Sequence, residues 1–144
     1  MTLANAGGIE TKFSADIRLE LWRKLLLMAP MAALSAMTRL PLARIREHPE
    51  TWRLASEGMR EVVAVANAEG VTLTNADVDK TLAFVMGMSP TWKSSLTFDL
   101  EHGWPLEIEG LSGVVVRLGE AAKIDTPFHR LALGVLKPHA TGTR

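Results

Sequence analysis

The sequence predicts an all-α domain of six or seven helices, and three observations carry that reading. Apolar residues recur at helical spacing along most of the chain. Nothing alternates at period two beyond a short segment, Ile9–Phe13, that could be extended. Glycines, prolines and capping residues fall where helices would begin and end. With 144 residues, 47% of them hydrophobic, the chain suits one domain with a single adequate core.

Residues 1–14 read as a lead-in, 15–138 as the helical domain and 139–144 as a tail. A long helix is expected from Ser14 or Asp16, with the aspartate favourable at the positive end of the helix dipole. Ile17, Leu21, Leu25 and Met28 mark its apolar spacing, and Pro30 should kink it by removing a donor and crowding the preceding turn. Pro41–Glu47 suits a short helix. Pro49 opens the next, which Gly70 closes, with Leu54, Val62, Val65 and Ala66 on its apolar face.

Thr74 or Asn75 caps a helix that ends before Gly87 and Pro90, and a further one is expected from about Thr91 to Glu101, ending at Gly103. After Pro105, Leu106–Ala122 reads as one helix, in which Gly110 and Gly113 suggest close packing against a neighbouring helix. Thr126 and Pro127 give a cap and first residue for the last helix, and the tail from Pro138 is expected to fray.

Sixteen basic and sixteen acidic residues cancel, and no run of like charge stands out, so nucleic acid and anionic membrane have no electrostatic support as partners. With no cysteine, disulfides and thiolate metal sites are excluded. The first residues lack the charged lead and apolar run of a signal peptide, and Leu25–Ala36 is too short, and broken by Pro30, to cross a bilayer. A soluble cytoplasmic protein is expected.

Candidate chemistry lies in few places. Lys24, Met28 and Ala32 form one stripe at four-residue spacing in an otherwise oily helix. A lone lysine there more often snorkels, its stem on apolar surface and its head in water, than acts in a site. Ser94 and Ser95 are adjacent hydroxyls that could bind a carboxylate, though adjacent serines are common. Glu107 and Glu109 follow the Gly103–Pro105 turn, and a glutamate there alone would most often serve the helix dipole. Asp99 reads as a local hydrogen-bonding partner. The four histidines show no metal-ligand spacing, and Trp22, Trp52, Trp92 and Trp104 read as core or interface anchors.

Taken together, DIRLELWRKL, VVAVANAEGV, SSLTFDLEHGWPLEIEGLSGVVV and IDTPFHRLAL, in that order, closely resemble the C-terminal domain of ketopantoate reductases, the NADPH-dependent 2-dehydropantoate 2-reductases. The resemblance runs from about Ile9 to Leu136. Its most specific pieces are Trp22–Leu25, Ser94–Asp99, Glu107–Glu109 and Thr126-Pro127. It implies an all-α multi-helix domain like that at the C-terminus of ketopantoate reductase and 6-phosphogluconate dehydrogenase.

The resemblance also implies roles. Lys24 matches the lysine that protonates the ketone oxygen as hydride arrives. Ser95, with Ser94 beside it, matches the serine that holds the substrate carboxylate, and Glu107 the glutamate that contacts the substrate hydroxyl region and orients the lysine. Met28 and Ala32 stand where family members usually carry asparagines, so two amide arms are absent: either the substrate is more apolar or the site is degenerate. No Gly-x-Gly-x-x-Gly occurs, so this chain is expected to hold no cofactor, NADPH being expected only with a separate or missing nucleotide-binding domain.

The leading expectation is therefore the substrate-binding half of a keto-acid oxidoreductase, inactive alone. The alternative is a non-catalytic helical module for dimerisation or partner binding. An unrelated helical bundle is a minor third. A homodimer through the long helix or its neighbours is expected, because a face that should pack on another domain would be exposed.

Overall fold

A computed structural model describes residues 14–143. Among these the chain forms seven α-helices and two single 3-10 turns, with no strand. The short Ile9–Phe13 segment and the glycine pair before it lie outside the described residues.

The long first helix, α1 (Ile17–Thr38), is the axis of the fold. Asp16 caps it, its carboxylate accepting from the Leu19 amide at 3.0 Å. The helix is continuous through Pro30. Every residue from Ala29 to Ala36 is buried, while Ile17 and Leu21 are 62% and 59% exposed. A helix that is apolar all round must be enclosed. Here Ala29, Ala32, Ala33 and Ala36 let the neighbours come close, and α1 packs against α3 (Pro49–Ala68), α5 (Ser95–His102) and α7 (Pro127–Leu136).

The other helices are α2 (Leu42–Glu47), α4 (Asn75–Gly87) and α6 (Ser112–Ala122). Thr74 and Asp77 start α4 with a reciprocal capping box. The first free amides of α2, Leu42 and Ala43, donate to the carbonyls of Trp92 and Pro90, each at 2.9 Å. That use of the backbone keeps residues 90–92 out of a helix, so α5 begins at Ser95 rather than near Thr91. Gly103, in the left-handed region at φ 68°, ends α5 as expected.

The single helix expected over Leu106–Ala122 is instead two elements. A 3-10 turn at Glu107–Gly110 stops at Leu111, whose φ of −108° and ψ of −96° are not helical, and α6 starts at Ser112. The glycine roles differ as well. A Cβ on Gly110 would meet nothing within 4 Å, and one on Gly113 would lie 2.6 Å from Glu109 Oε2, which leans back from the preceding turn. The glycine that admits neighbouring helices is Gly58 of α3. A Cβ there would lie 2.5 Å from the Phe128 ring of α7 and 3.0 Å from Pro30 Cβ of α1.

The tail, expected to fray, is folded back onto the domain as far as Thr143. After a 3-10 turn at Lys137–His139 it crosses the Gly103–Leu106 turn. Leu106 N donates to the Ala140 carbonyl at 3.1 Å and Thr143 N to the Gly103 carbonyl at 2.9 Å. Backbone bonds across the turn hold the segment in place of the side-chain burial that a sequence reading would look for.

The core falls into two buried clusters. The larger joins α1, α3 and α4 with Val115, Phe128 and Ala132. The smaller holds Ala32, Ala36, Leu96, Leu106, Ile108 and Leu136, and it sets α5 and the 107–110 turn against α1. Among the described residues no helix is long and apolar enough to cross a membrane.

Candidate functional site

A cleft of about 310 Å³ opens where the exposed half of α1 meets the start of α5 and the 107–110 turn. Lys24, Ser95 and Glu107 all line it, together with Leu21, Leu25, Met28, Gly110 and Leu111. Three residues far apart in sequence thus share one concavity.

Ser95 is held there by its neighbour. Ser94 is 2% exposed and caps α5, its Oγ accepting from Thr97 N at 3.2 Å. The same hydroxyl lies 3.4 Å from the Ala32 carbonyl of α1, to which it donates, and 2.9 Å from Thr97 Oγ1. Ser94 N donates to Ser35 Oγ at 3.2 Å, and Ser35 meets Thr97 Oγ1 at 2.7 Å. This buried network fixes the start of α5 to α1. Ser94, expected beside Ser95 at the substrate, therefore lies outside the cleft lining with its hydroxyl engaged. Ser95 is turned outward as the first residue of α5, where the positive end of the helix dipole favours an anion.

Glu107 is placed by Ile108, which follows it into the smaller core at 0% exposure and leaves Glu107 exposed at the cleft. Glu109, the second carboxylate of this segment, does not join it. Glu109 pairs with Lys137 Nζ at 2.9 Å.

Along α1 the Lys24 stripe passes from solvent to core. Lys24 is exposed, Met28 is half-buried in the cleft wall, and Ala32 is 1% exposed in the smaller core, outside the lining. The lysine head stands at the cleft mouth, where an ammonium stays hydrated until a partner arrives. Leu21 and Leu25 flank it at helical spacing, a signal present in the sequence. Gly110 and Leu111 carried no such signal, because they enter the lining only through the break before α6.

Chemically, the cleft offers one ammonium, one hydroxyl at a helix start and one carboxylate on an otherwise apolar wall. An ammonium can hold and protonate an oxygen, and a hydroxyl beside a helix N-terminus can hold a carboxylate. Among the described residues there is no group of three or more His, Asp or Glu side chains that could share a metal ion. Nor do these residues form the strand, glycine-rich turn and helix that cradle a dinucleotide phosphate.

Comparison with known proteins identifies the fold. The family model described as "Ketopantoate reductase PanE/ApbA C terminal" matches residues 16–140. A 2-dehydropantoate 2-reductase of Pyrobaculum aerophilum is 30% identical over 135 residues, covering 94% of this chain and 48% of that protein. The crystal structure of a PanE/ApbA family ketopantoate reductase from Ralstonia eutropha superposes with a TM-score of 0.88 at 33% identity, covering 96% of this chain and 46% of that one. A dimeric ketopantoate reductase from Staphylococcus aureus shares the fold at a TM-score of 0.88 and 24% identity, covering 96% of this chain and 50% of that one. The chain spans about half the length of the relatives it matches.

Proposed function

The chain belongs to the ketopantoate reductase family, as that family's helical C-terminal domain, and we propose that its cleft binds a small 2-keto acid and supplies the proton for reduction of the ketone. The observation that carries this is the convergence of Lys24, Ser95 and Glu107 on one cleft. Ser95 and the start of α5 take the substrate carboxylate. The Lys24 ammonium holds the ketone oxygen, and its N–H bond breaks as the O–H bond of the product alcohol forms, leaving a neutral amine that regains a proton from water. Glu107 accepts from the lysine or from a substrate hydroxyl. The hydride comes from outside this chain, from a reduced nicotinamide, NADPH, on a nucleotide-binding domain.

The test is a titration of the chain with 2-keto acids, followed by amide chemical shifts. Shifts clustered at Lys24, Ser95 and Glu107, weakened tenfold or more in K24A and S95A, are the expected result. Binding indifferent to both substitutions would remove the site from these residues. Turnover should require an added nucleotide-binding domain, and turnover by this chain alone would overturn the division of labour.

One further observation favours a second role, association of chains. Leu131 and Val135, one turn apart on α7, are 58% and 47% exposed. The Staphylococcus aureus relative is a dimeric ketopantoate reductase. Sedimentation of the chain at high concentration tests this, and a clean monomer would count against it.

A further inference from the structure

We infer that the cleft prefers 2-keto acids whose side chain carries no hydroxyl, and that Met28 sets this preference. The inference rests on the keto-acid reading of the site and adds the substrate class. The cleft lining contains three polar side chains, and the head of a 2-keto acid occupies two of them. Its carboxylate takes Ser95 and its ketone oxygen takes Lys24. The α1 wall that remains for the substrate's side chain is Leu21, Leu25 and Met28, with Leu111 facing from the turn. None of these side chains donates a hydrogen bond, and the methionine sulfur accepts only weakly.

A methyl or larger apolar group laid on that wall leaves water and gains contact. A hydroxyl in the same position leaves water and gains no partner. Met28 is the residue that decides. It lies one helical turn from Lys24, so it borders the group attached to the ketone carbon, and its flexible thioether fits several apolar shapes. Leu21, on the other side of Lys24, is 59% exposed at the cleft edge. Glu107 is the carboxylate in the cleft lining that could receive a substrate hydroxyl, and its competition is part of the test.

The probes are trimethylpyruvate and 2-dehydropantoate, which share a skeleton and differ by one hydroxyl. Each is titrated into the isotopically labelled chain, and into M28N and E107Q after their melting curves have been checked against the parent. The expected result is that trimethylpyruvate binds about tenfold more tightly, within the limit an apolar pocket sets on an added hydroxyl. M28N should bring the two within about twofold by giving the hydroxyl an amide partner. Equal or tighter binding of 2-dehydropantoate by the parent chain, lost in E107Q, would assign the hydroxyl to Glu107 and overturn the inference. So would an M28N variant with an unchanged ratio. If neither keto acid perturbs the cleft, the keto-acid reading falls and this inference with it, which separates that failure from a failure of the preference alone.

Discussion

The Glu61 carboxylate of α3 reaches across to the start of α7, where Oε1 accepts from Phe128 N at 2.7 Å and Oε2 from His129 N at 3.1 Å. It does the work expected of Thr126. The threonine makes no capping bond, and its Oγ1 is buried without a hydrogen-bond partner. Burial raises the Glu61 pKa above its ordinary value, a tendency opposed by the two amide bonds and reinforced by Glu57 nearby.

Replacing Glu61 by Gln should destabilise the chain by about 1 kcal/mol, since the amide can accept from only one of the two donors without turning its own N–H₂ toward the other. Because the folded pKa is raised, the native state holds this proton more tightly than the unfolded chain does. The stability linked to it is present below the ordinary carboxylate range and is lost as pH rises through the folded value. The gap between parent and E61Q in denaturant unfolding should therefore be wider at acid pH than at neutral pH. A gap that widens with rising pH would contradict this.

His129 should give the opposite dependence. It is fully buried, and desolvation lowers its pKa to about 4, against a smaller upward pull from the Gly58 carbonyl. That carbonyl can only accept, so Nε2 carries the proton at 3.1 Å, and Nδ1 accepts from the Ser112 hydroxyl, also at 3.1 Å. The folded pKa is depressed, so the stability it contributes is intact above the unfolded value and is lost as pH falls from about 6.5 toward 4. A loss of up to about 3 kcal/mol is expected over that window. In H129Q the slope should be absent while overall stability is lower.

Gly58→Ala should lower the melting temperature in spite of alanine's better helix propensity. The added methyl gains about 1 kcal/mol in propensity but meets the Phe128 ring and the rigid Pro30 Cβ, at a cost of about 1–3 kcal/mol. A melting temperature unchanged or raised would mean that α7 yields easily at this crossing.

The two adjacent serines should separate cleanly under alanine substitution. Ser94→Ala removes a cap and breaks the hydroxyl's buried bonds to Ala32 and Thr97, costing about 1–3 kcal/mol. Ser95→Ala, on an exposed position, should leave unfolding within about 0.5 kcal/mol of the parent while keto-acid binding falls. Equal effects on stability would mean that Ser95 shares the structural network.

These contrasts show where the sequence was informative. Asp16 before an apolar run, Thr74 three residues before Asp77, and Pro49 and Pro127 as first helical residues are local signals, and the helices begin there. The resemblance singled out Lys24, Ser95 and Glu107, and these share a cleft. What could not be read depends on partners far along the chain. The start of α5 is delayed because Trp92 and Pro90 serve α2, roughly a third of the chain earlier. Glu61 looks like one more polar residue of an amphipathic helix until α7 is docked on it. Ser94 and Ser95 are alike in sequence; only the cap geometry turns one inward and the other out.

The passage of α1 from open cleft to closed core separates two kinds of tolerance to substitution. Around Lys24 and Met28 the helix borders an open cleft, so a side chain there can be exchanged without repacking the interior. One turn further on, Ala32 sits in a packed interior with its carbonyl bound to Ser94, and a larger polar residue would have to displace its neighbours first. The two positions at which the resemblance implies asparagine, 28 and 32, are thus unequal. The methionine at residue 28 can be exchanged in place, whereas the alanine at residue 32 is locked by the packed interior around it.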